Sequence, residues 1–115
     1  LATAVREKLP LIEVVINNHV LGMVRQWQNL FYEKRYSATV LNDAVDFVKL
    51  AEAMGAKGVR VTTREEFDAA FGQALHADGP VVLDCIIDSD DKVWPMVAPG
   101  APISEAFSEE DLPGV

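Results

Sequence analysis

The chain has 115 residues, of which 50% are hydrophobic and 24% are charged, and its formal net charge is −8. This length suits a single domain with its own core, and the acidic balance argues against a nucleic-acid-binding or membrane-binding protein. No apolar stretch approaches the roughly 18 residues of a membrane-spanning helix. The single cysteine, Cys85, excludes a disulfide framework and lies in an apolar run typical of a buried, inert thiol.

The beginning of the sequence predicts a helix that ends before a strand. Residues 1–9, LATAVREKL, have the pattern of the last turns of a helix, and Pro10 stops it because proline cannot continue a helix interior. These residues lack the order of basic, apolar and small residues that marks a signal peptide. Since Leu1 has neither an initiator methionine nor a cap before it, we expect the chain to be a piece of a longer protein.

Strand and helix patterns alternate along the next part of the chain. Apolar, β-branched runs predict strands, and apolar residues at helical spacing predict the helices between them. The predicted elements are a strand at Leu11–Ile16, a helix at Gly22–Glu33, a helix from Asp43 to Met54, a strand at Lys57–Val61, a helix after Thr63 and a strand at Val81–Asp88. Strands joined by helices favour right-handed crossovers, so we predict an α/β fold, a three-layer parallel sheet with flanking helices.

Polar residues and a glycine mark the ends of the predicted helices. Asp43 is a candidate N-cap, Gly55 is placed to end a helix, and Thr63 with Glu66 forms a capping-box pattern. The helix after Thr63 should bury one stripe of side chains, formed by Phe67, Ala70, Phe71, Ala74 and Leu75.

The composition changes after Asp88. Prolines at positions 95, 99, 102 and 113 interrupt regular structure, and glycines at 100 and 114 add backbone freedom. We therefore predict two parts, an α/β domain at residues 1–88 and a mostly irregular tail or arm at residues 89–115.

The carboxyl end of the first predicted strand is the best candidate for a ligand site. Ligands of open α/β sheets bind at such strand ends, and here Asn17, Asn18 and His19 are followed closely by a helix start at Gly22. An asparagine oxygen is a neutral hard ligand suited to Mg²⁺, and the backbone carbonyl of Val20 can join it at a tight turn. The alternative is that the two carboxamides only end the strand and form Asx turns.

Other possible sites have weaker support. Neither a glycine-rich phosphate loop nor a GxSxG nucleophile motif occurs. His76 ends a helix and is expected to be solvated, and the acidic run Asp88–Asp91 lacks the spacing of a calcium loop.

An apolar stripe follows the candidate strand end. Its members lie on one helical face and are Met23, Val24, Trp27, Leu30 and Phe31. Such a stripe usually packs into a core, but next to a ligand site it can also present Met23 and Trp27 to the ligand. Both interpretations stay open.

Three runs of sequence together resemble one enzyme family. They are INNHVLGMVRQWQNLFYEKRYSAT, DFVKLAEAMGAKGVRV and VWPMVAPGAPISE, and they are similar to the catalytic subunit of acetolactate synthase, a thiamine-diphosphate enzyme. The resemblance covers essentially the whole chain as the C-terminal end of that subunit. It implies that residues 1–88 are the C-terminal part of a thiamine-diphosphate-binding domain.

The resemblance also implies roles for particular residues. Asn18, through its side chain, and Val20, through its carbonyl, would bind Mg²⁺. The cofactor would be contacted by Asn18, Val20, Leu21, Gly22 and Met23. The pocket for the second 2-oxo acid and for herbicides would be formed by Met23, Val24 and Trp27. The residues around Trp94–Ser104 resemble an arm that folds over the active site. No catalytic residue is expected within the chain, because the family's GDG motif and its cofactor-activating glutamate are not found in it.

The activity implied for the intact enzyme is decarboxylation of pyruvate and transfer of the two-carbon unit to pyruvate or 2-oxobutyrate, in branched-chain amino-acid biosynthesis. The resemblance implies FAD on a domain absent from this chain, a homodimer or higher oligomer, and a possible regulatory small subunit. It implies a cytoplasmic bacterial protein, or a plastid or mitochondrial one in a eukaryote. The chain alone should be inactive. The alternatives are another thiamine-diphosphate carboligase or oxidase, such as glyoxylate carboligase, and a non-catalytic α/β regulatory or binding module.

Overall fold

Three strands and four α-helices form the regular structure of residues 1–42 and 45–112, which a computed structural model of the chain describes. In chain order they are α1 (Ala2–Arg6), β1 (Ile12–Asn17), α2 (Gly22–Phe31), α3 (Phe47–Ala53), β2 (Lys57–Val61), α4 (Arg64–Ala74) and β3 (Val81–Ile86). Two 3₁₀ turns follow, at Ile103–Glu105 and Glu109–Asp111. Among the described residues, no helix combines the length and the apolar character needed to cross a membrane.

The chain divides into two compact units. The first unit contains Leu1–His19 and Leu41–Asp88, and the second contains Val20–Val40 and Ser89–Val115. This division groups the tail with α2, whereas the predicted parts, residues 1–88 and 89–115, separate them. The predicted domain boundary after residue 88 therefore stays a prediction.

The first unit is built on a parallel sheet with the strand order β1-β3-β2. The predicted parallel α/β sheet is therefore confirmed, with each strand displaced by no more than two residues from its predicted ends. The last strand in sequence is the central one, and Val81 to Cys85 are all buried in it. Such a strand is apolar on both faces, which is why its run in the sequence is almost continuous.

Helices cover both faces of the sheet, so the three-layer architecture is confirmed. On one face Val81, Leu83 and Cys85 pack with Ala70 and Ala74 of α4. On the other face the buried cluster is formed by Ala51, Ala56 and Val82, against which Leu1, Val5 and Val15 pack.

The prediction that Leu75 is buried with the α4 stripe is wrong. Leu75 is the C-cap of α4, and its side chain is 62% exposed. At the other end of α4, Thr63 accepts a hydrogen bond from the Glu66 amide at 3.2 Å, which confirms the cap. The Glu66 carboxylate accepts from the Thr62 amide at 2.7 Å, one residue earlier than a standard capping box requires.

The first helix is shorter than predicted and ends before Pro10 through its own backbone geometry. It stops at Arg6, and Lys8 takes a left-handed φ of 52°. The Leu9 amide then donates to the Ala4 carbonyl at 2.9 Å, as in a Schellman motif. The proline is therefore not the residue that ends the helix.

The third helix also starts later than predicted. It begins at Phe47, and Asp46 caps it by accepting a hydrogen bond from the Lys49 amide at 3.1 Å. The predicted cap, Asp43, lies outside the described residues. The predicted helix end is confirmed, because Gly55 follows the C-cap with a φ of 83°, where a side chain would be strained.

The second unit joins α2 to the tail through hydrogen bonds and aromatic contacts. The Gln26 side chain donates to the Val93 carbonyl at 2.9 Å and accepts from the Val93 amide at 3.0 Å. The Phe107 ring contacts both Trp94 and Phe31 edge to face. The described part of the tail is irregular, as predicted, apart from its two short turns.

Candidate functional site

The carboxyl end of β1 forms a tight turn in the first unit. The Asn17 side-chain oxygen accepts a hydrogen bond from the His19 amide at 3.2 Å, which is an Asx turn centred on Asn18. His19 takes a left-handed φ of 59°, a conformation that histidine adopts more readily than most residues. The interpretation of Asn17 as a residue that ends the strand is thus confirmed, whereas Asn18 stays a candidate ligand.

A series of hydrogen-bonded side chains connects this turn to the central strand. The Asn17 side-chain nitrogen donates to Asp84 Oδ1 at 2.9 Å, and Arg60 Nε donates to Asp84 Oδ2 at 3.0 Å. Arg60 Nη2 also donates to Asp46 Oδ1 at 3.0 Å. Asp84 is completely buried in the central strand. Both oxygens of a buried carboxylate are therefore paired.

The pKa values of Asp46 and Arg60 are both shifted toward the ionised form. The amide of Lys49 is the main group that lowers the pKa of Asp46, and the charges of Arg60 and Lys49 lower it further. The hydrogen bond to Asp84 is the main cause that raises the pKa of Arg60, with Asp46 adding to it. Sequence reasoning missed Asp84 as the partner of the turn, and it missed Arg60 and Asp46, which are hydrogen-bonded behind Asp84. A signal was present, because Asp84 is an acid inside the apolar run VVLDCII.

A cavity of about 310 Å³ opens beside the turn in the first unit. Its lining consists of Asn17, His19, Val45, Asp46, Arg60 and Ile86. Charged and amide groups thus meet apolar side chains at the carboxyl end of the sheet, where α/β proteins bind ligands.

The remaining predicted cofactor residues lie in the second unit. Val20 is buried and forms a bridge with Val40, and the Leu21 amide donates to the Thr39 carbonyl at 2.8 Å. Leu21 is the N-cap of α2, and Gly22 is the first residue of that helix. The predicted helix start at Gly22 is therefore confirmed, and the helix ends at Phe31, two residues before the predicted end.

The stripe of α2 is not a closed core. Met23 is 56% exposed and Val24 is 49% exposed, whereas the buried residue of the helix is Gln26. The structure brings the three predicted pocket residues together in a cavity of about 500 Å³, lined by Met23, Val24, Trp27, Gln28, Tyr32 and Arg35. Trp27 is held in place by an edge-to-face contact with Phe31 at 6.0 Å between ring centroids.

The structure also shows the surroundings of the other residues considered in the sequence analysis. Asp90 of the acidic run pairs with Arg25 at 2.7 Å, and the hydrogen bond from Arg25 lowers the pKa of Asp90. Within residues 1–42 and 45–112, no group of three or more His, Cys, Asp or Glu side chains is placed to hold a metal ion. His76 is exposed, and Cys85 is buried, as predicted. Burial raises the pKa of the Cys85 thiol.

The donor chemistry at the strand end fits part of a magnesium site. The Asn18 side chain in the first unit and the Val20 carbonyl in the second unit are each a neutral oxygen ligand of the hard type that Mg²⁺ accepts. The described residues add no acidic cluster to them.

Comparison with known proteins gives one family and a consistent set of relatives. The family described as "Thiamine pyrophosphate enzyme, C-terminal TPP binding domain" matches residues 1–85. The acetolactate synthase isozyme 2 large subunit of Escherichia coli is 48% identical over 109 residues, which are 95% of this chain and 20% of that protein. The mitochondrial acetolactate synthase catalytic subunit of Saccharomyces cerevisiae is 48% identical over 106 residues, or 91% of this chain and 15% of that protein.

Solved structures give the same fold. A thiamine diphosphate-dependent 4-hydroxybenzoylformate decarboxylase from Rhodococcus jostii superposes with a TM-score of 0.67 and 30% identity, covering 76% of this chain and 16% of that one. A benzoylformate decarboxylase from Polynucleobacter necessarius gives 0.69 and 28% identity, covering 80% of this chain and 17% of that one. The chain thus spans a fifth or less of the length of the relatives it matches.

Proposed function

The chain belongs to the family of C-terminal TPP-binding domains of thiamine pyrophosphate enzymes, and we propose that it is the C-terminal part of an acetolactate synthase catalytic subunit. The observation that carries the proposal is 48% identity over 95% of this chain with one such subunit. The cavity that joins Met23, Val24 and Trp27 supports it, because these are the residues the resemblance assigns to the substrate pocket.

The complete subunit would decarboxylate pyruvate and join the two-carbon unit to a second 2-oxo acid, pyruvate or 2-oxobutyrate, for branched-chain amino-acid biosynthesis. Thiamine diphosphate, when bound, supplies the electron sink for decarboxylation. Asn18 and Val20 would hold Mg²⁺, and Leu21, Gly22 and Met23 would contact the cofactor. The exposed apolar face of α2 would exclude water from the second substrate, with Val24 and Trp27 shaping the pocket.

The rest of the machinery would lie outside these residues. The GDG motif, the activating glutamate and the FAD-binding domain would come from other parts of the subunit, in a homodimer or higher oligomer with a possible regulatory small subunit. The 115-residue chain would then be inactive alone. The compartment would be the cytoplasm in a bacterium, and a plastid or mitochondrion in a eukaryote; the yeast relative is a mitochondrial protein.

A second candidate is a thiamine-diphosphate enzyme that decarboxylates a 2-oxo acid without joining a second one. The two solved structures favour it as an alternative, since both are named as decarboxylases.

Product analysis separates the two candidates. The complete subunit is incubated with pyruvate, thiamine diphosphate, Mg²⁺ and FAD, and products are followed by carbon-13 NMR. Acetolactate as the main product supports the proposal, and acetaldehyde as the main product would favour the decarboxylase. A reaction without Mg²⁺ is the control.

A further inference from the structure

We propose that Asp84 is a positioning residue for the metal-binding turn, because its buried carboxylate fixes the Asn17 carboxamide and so sets the turn that carries Asn18. The inference rests on the proposed function, in which Asn18 is a ligand of Mg²⁺. It assigns a role to a residue that the resemblance leaves without one.

Asp84 occupies a central position in the sheet. It lies in the central strand, with Val15 of β1 and Arg60 of β2 as its register partners. It is completely buried, and burying a carboxylate is costly unless both oxygens are paired. The partners are Asn17 on one oxygen at 2.9 Å and Arg60 on the other at 3.0 Å.

The Asn17 carboxamide is hydrogen-bonded at both its nitrogen and its oxygen. The Asn17 carboxamide donates to Asp84 through its nitrogen and accepts from the His19 amide through its oxygen. Its rotation is therefore fixed from both sides, and the turn between Asn17 and His19 is tied to the central strand. Asn18 is the residue in the middle of that turn.

Stability of the fold alone does not favour an acid at position 84 over an apolar residue. A buried ion pair is often no more stabilising than apolar residues of the same volume, and the neighbours Val82 and Leu83 are apolar. Groups that orient metal ligands, in contrast, typically contribute strongly to metal affinity. An acid at this one buried position, bonded to the turn, fits orientation better than packing.

The test exchanges the two side chains. In Asp84→Asn, an NH₂ group replaces one of the two accepting oxygens and faces a donor, Asn17 or Arg60, so one bond is lost. In Asn17→Asp, two carboxylates face each other. In the double variant, Asn at 84 accepts from Arg60 and donates to Asp at 17, which still accepts from the His19 amide. Every hydrogen bond and the net charge are kept.

The measurement is the dissociation constant of Mg²⁺ at saturating thiamine diphosphate, by calorimetry on the complete subunit. Each single variant should weaken Mg²⁺ binding roughly 10–100-fold, the usual effect of losing such a partner, and the double variant should return to within about threefold of the unaltered protein. At saturating Mg²⁺ the kcat of the single variants should be close to that of the unaltered protein. A purely structural role would not produce this split between metal affinity and kcat.

Asp46→Asn is the matched control. It removes the other acid bonded to Arg60 but touches neither Asn17 nor Asp84, and asparagine caps helices as well as aspartate does. Its Mg²⁺ affinity should equal that of the unaltered protein, and an equal loss there would overturn the proposal. Asn17→Ala keeps the Asp84–Arg60 pair, so it replaces Asp84→Asn if that variant does not fold.

Three further results would contradict the inference. They are single variants with unchanged Mg²⁺ affinity, unchanged affinity in Asn17→Ala, and a double variant no tighter than the single ones. Each of these leaves the proposed function intact, because the unaltered protein still binds Mg²⁺ with thiamine diphosphate. If the unaltered protein itself shows no such binding, the proposed function fails as well.

Discussion

Trp27 is the side chain through which the chain is expected to influence substrate choice. Its indole lines the α2 cavity and is fixed against Phe31. We expect Trp27→Leu in the complete subunit to reduce the discrimination between 2-oxobutyrate and pyruvate as the second substrate. One methylene in an apolar pocket is worth about 1–3 kcal/mol, so this discrimination should fall roughly tenfold or somewhat more. Herbicides that stack on the indole should also bind more weakly.

The measurement is the ratio of the two acetohydroxy acid products from an equimolar mixture of second substrates. Phe71→Leu, an aromatic loss within the first unit, is the control and should leave the ratio unchanged. An unchanged ratio together with unchanged herbicide inhibition in Trp27→Leu would contradict the role of Trp27.

His19 stores backbone strain at the turn. Its φ of 59° is tolerated by asparagine but is strongly unfavourable for a β-branched residue. Both His19→Asn and His19→Val remove the imidazole, so its contacts are lost in both variants. We expect His19→Val to be less stable than His19→Asn by roughly 1–2 kcal/mol in the free energy of unfolding. Urea denaturation of the two variants measures it, and equal stabilities would show that the strain is absent.

At the scale of single elements, the cap of α3 gives a dependence of stability on pH. The lowered pKa of Asp46 means that its ionised form is stabilised by folding, chiefly through the Lys49 amide. The contribution is present above the ordinary pKa of 3.8 and is lost as the pH falls below it toward the lowered value. Denaturation of the unaltered protein and of Asp46→Ala should show a difference at pH 7 that shrinks in this acidic range. A difference that stays constant down to pH 2 would be inconsistent with this cap.

Two glycines in different elements should respond in opposite ways to substitution by alanine. A Cβ on Gly58 of β2 would lie 2.8 Å from the Val48 carbonyl oxygen, so α3 would have to move away from the strand. A Cβ on Gly72 of α4 meets nothing within 4 Å. We expect Gly58→Ala to lower the melting temperature, and Gly72→Ala to add about 0.5–1 kcal/mol of stability because glycine is unfavourable within a helix. Differential scanning calorimetry decides between these outcomes and the reverse order.

Elements were predictable where a local rule decides them. Runs of β-branched residues located the strands, and Thr63 and Gly55 located helix ends, because these signals act within a few residues. The end of α1 was not predictable, since Lys8 in a left-handed conformation has no sequence signature. The bonds of Asp84 to Asn17 and Arg60 join three strands, and one sequence shows no such pairing without the strand order. The position of the candidate site at the end of β1 was therefore predictable, but the hydrogen bonds that hold its turn were not.

At the scale of the whole molecule, the proposed function makes the 115-residue chain an incomplete cofactor site. Under that proposal Asn18 and Val20 would supply only neutral ligands, and divalent cations of this type are held mainly by charged oxygens. We expect the isolated chain to bind thiamine diphosphate with Mg²⁺ weakly or not at all. Calorimetric titration of the chain beside the complete subunit measures this. Tight binding by the chain alone that depends on Mg²⁺ would refute the proposed division of ligands.

The strand order sets the sequence of events during synthesis. Both outer strands pair with β3, the last of the three to leave the ribosome, so Ile12 meets its neighbour only once Val81 has been made. Until then β1 and β2 have no strand between them, and pairing over long sequence distances is slow. During that interval Val14 and Ile16, which are exposed even in the folded unit, can bring the nascent chain into contact with other chains. Slower translation between β2 and β3 would lengthen that interval and increase the need for chaperones.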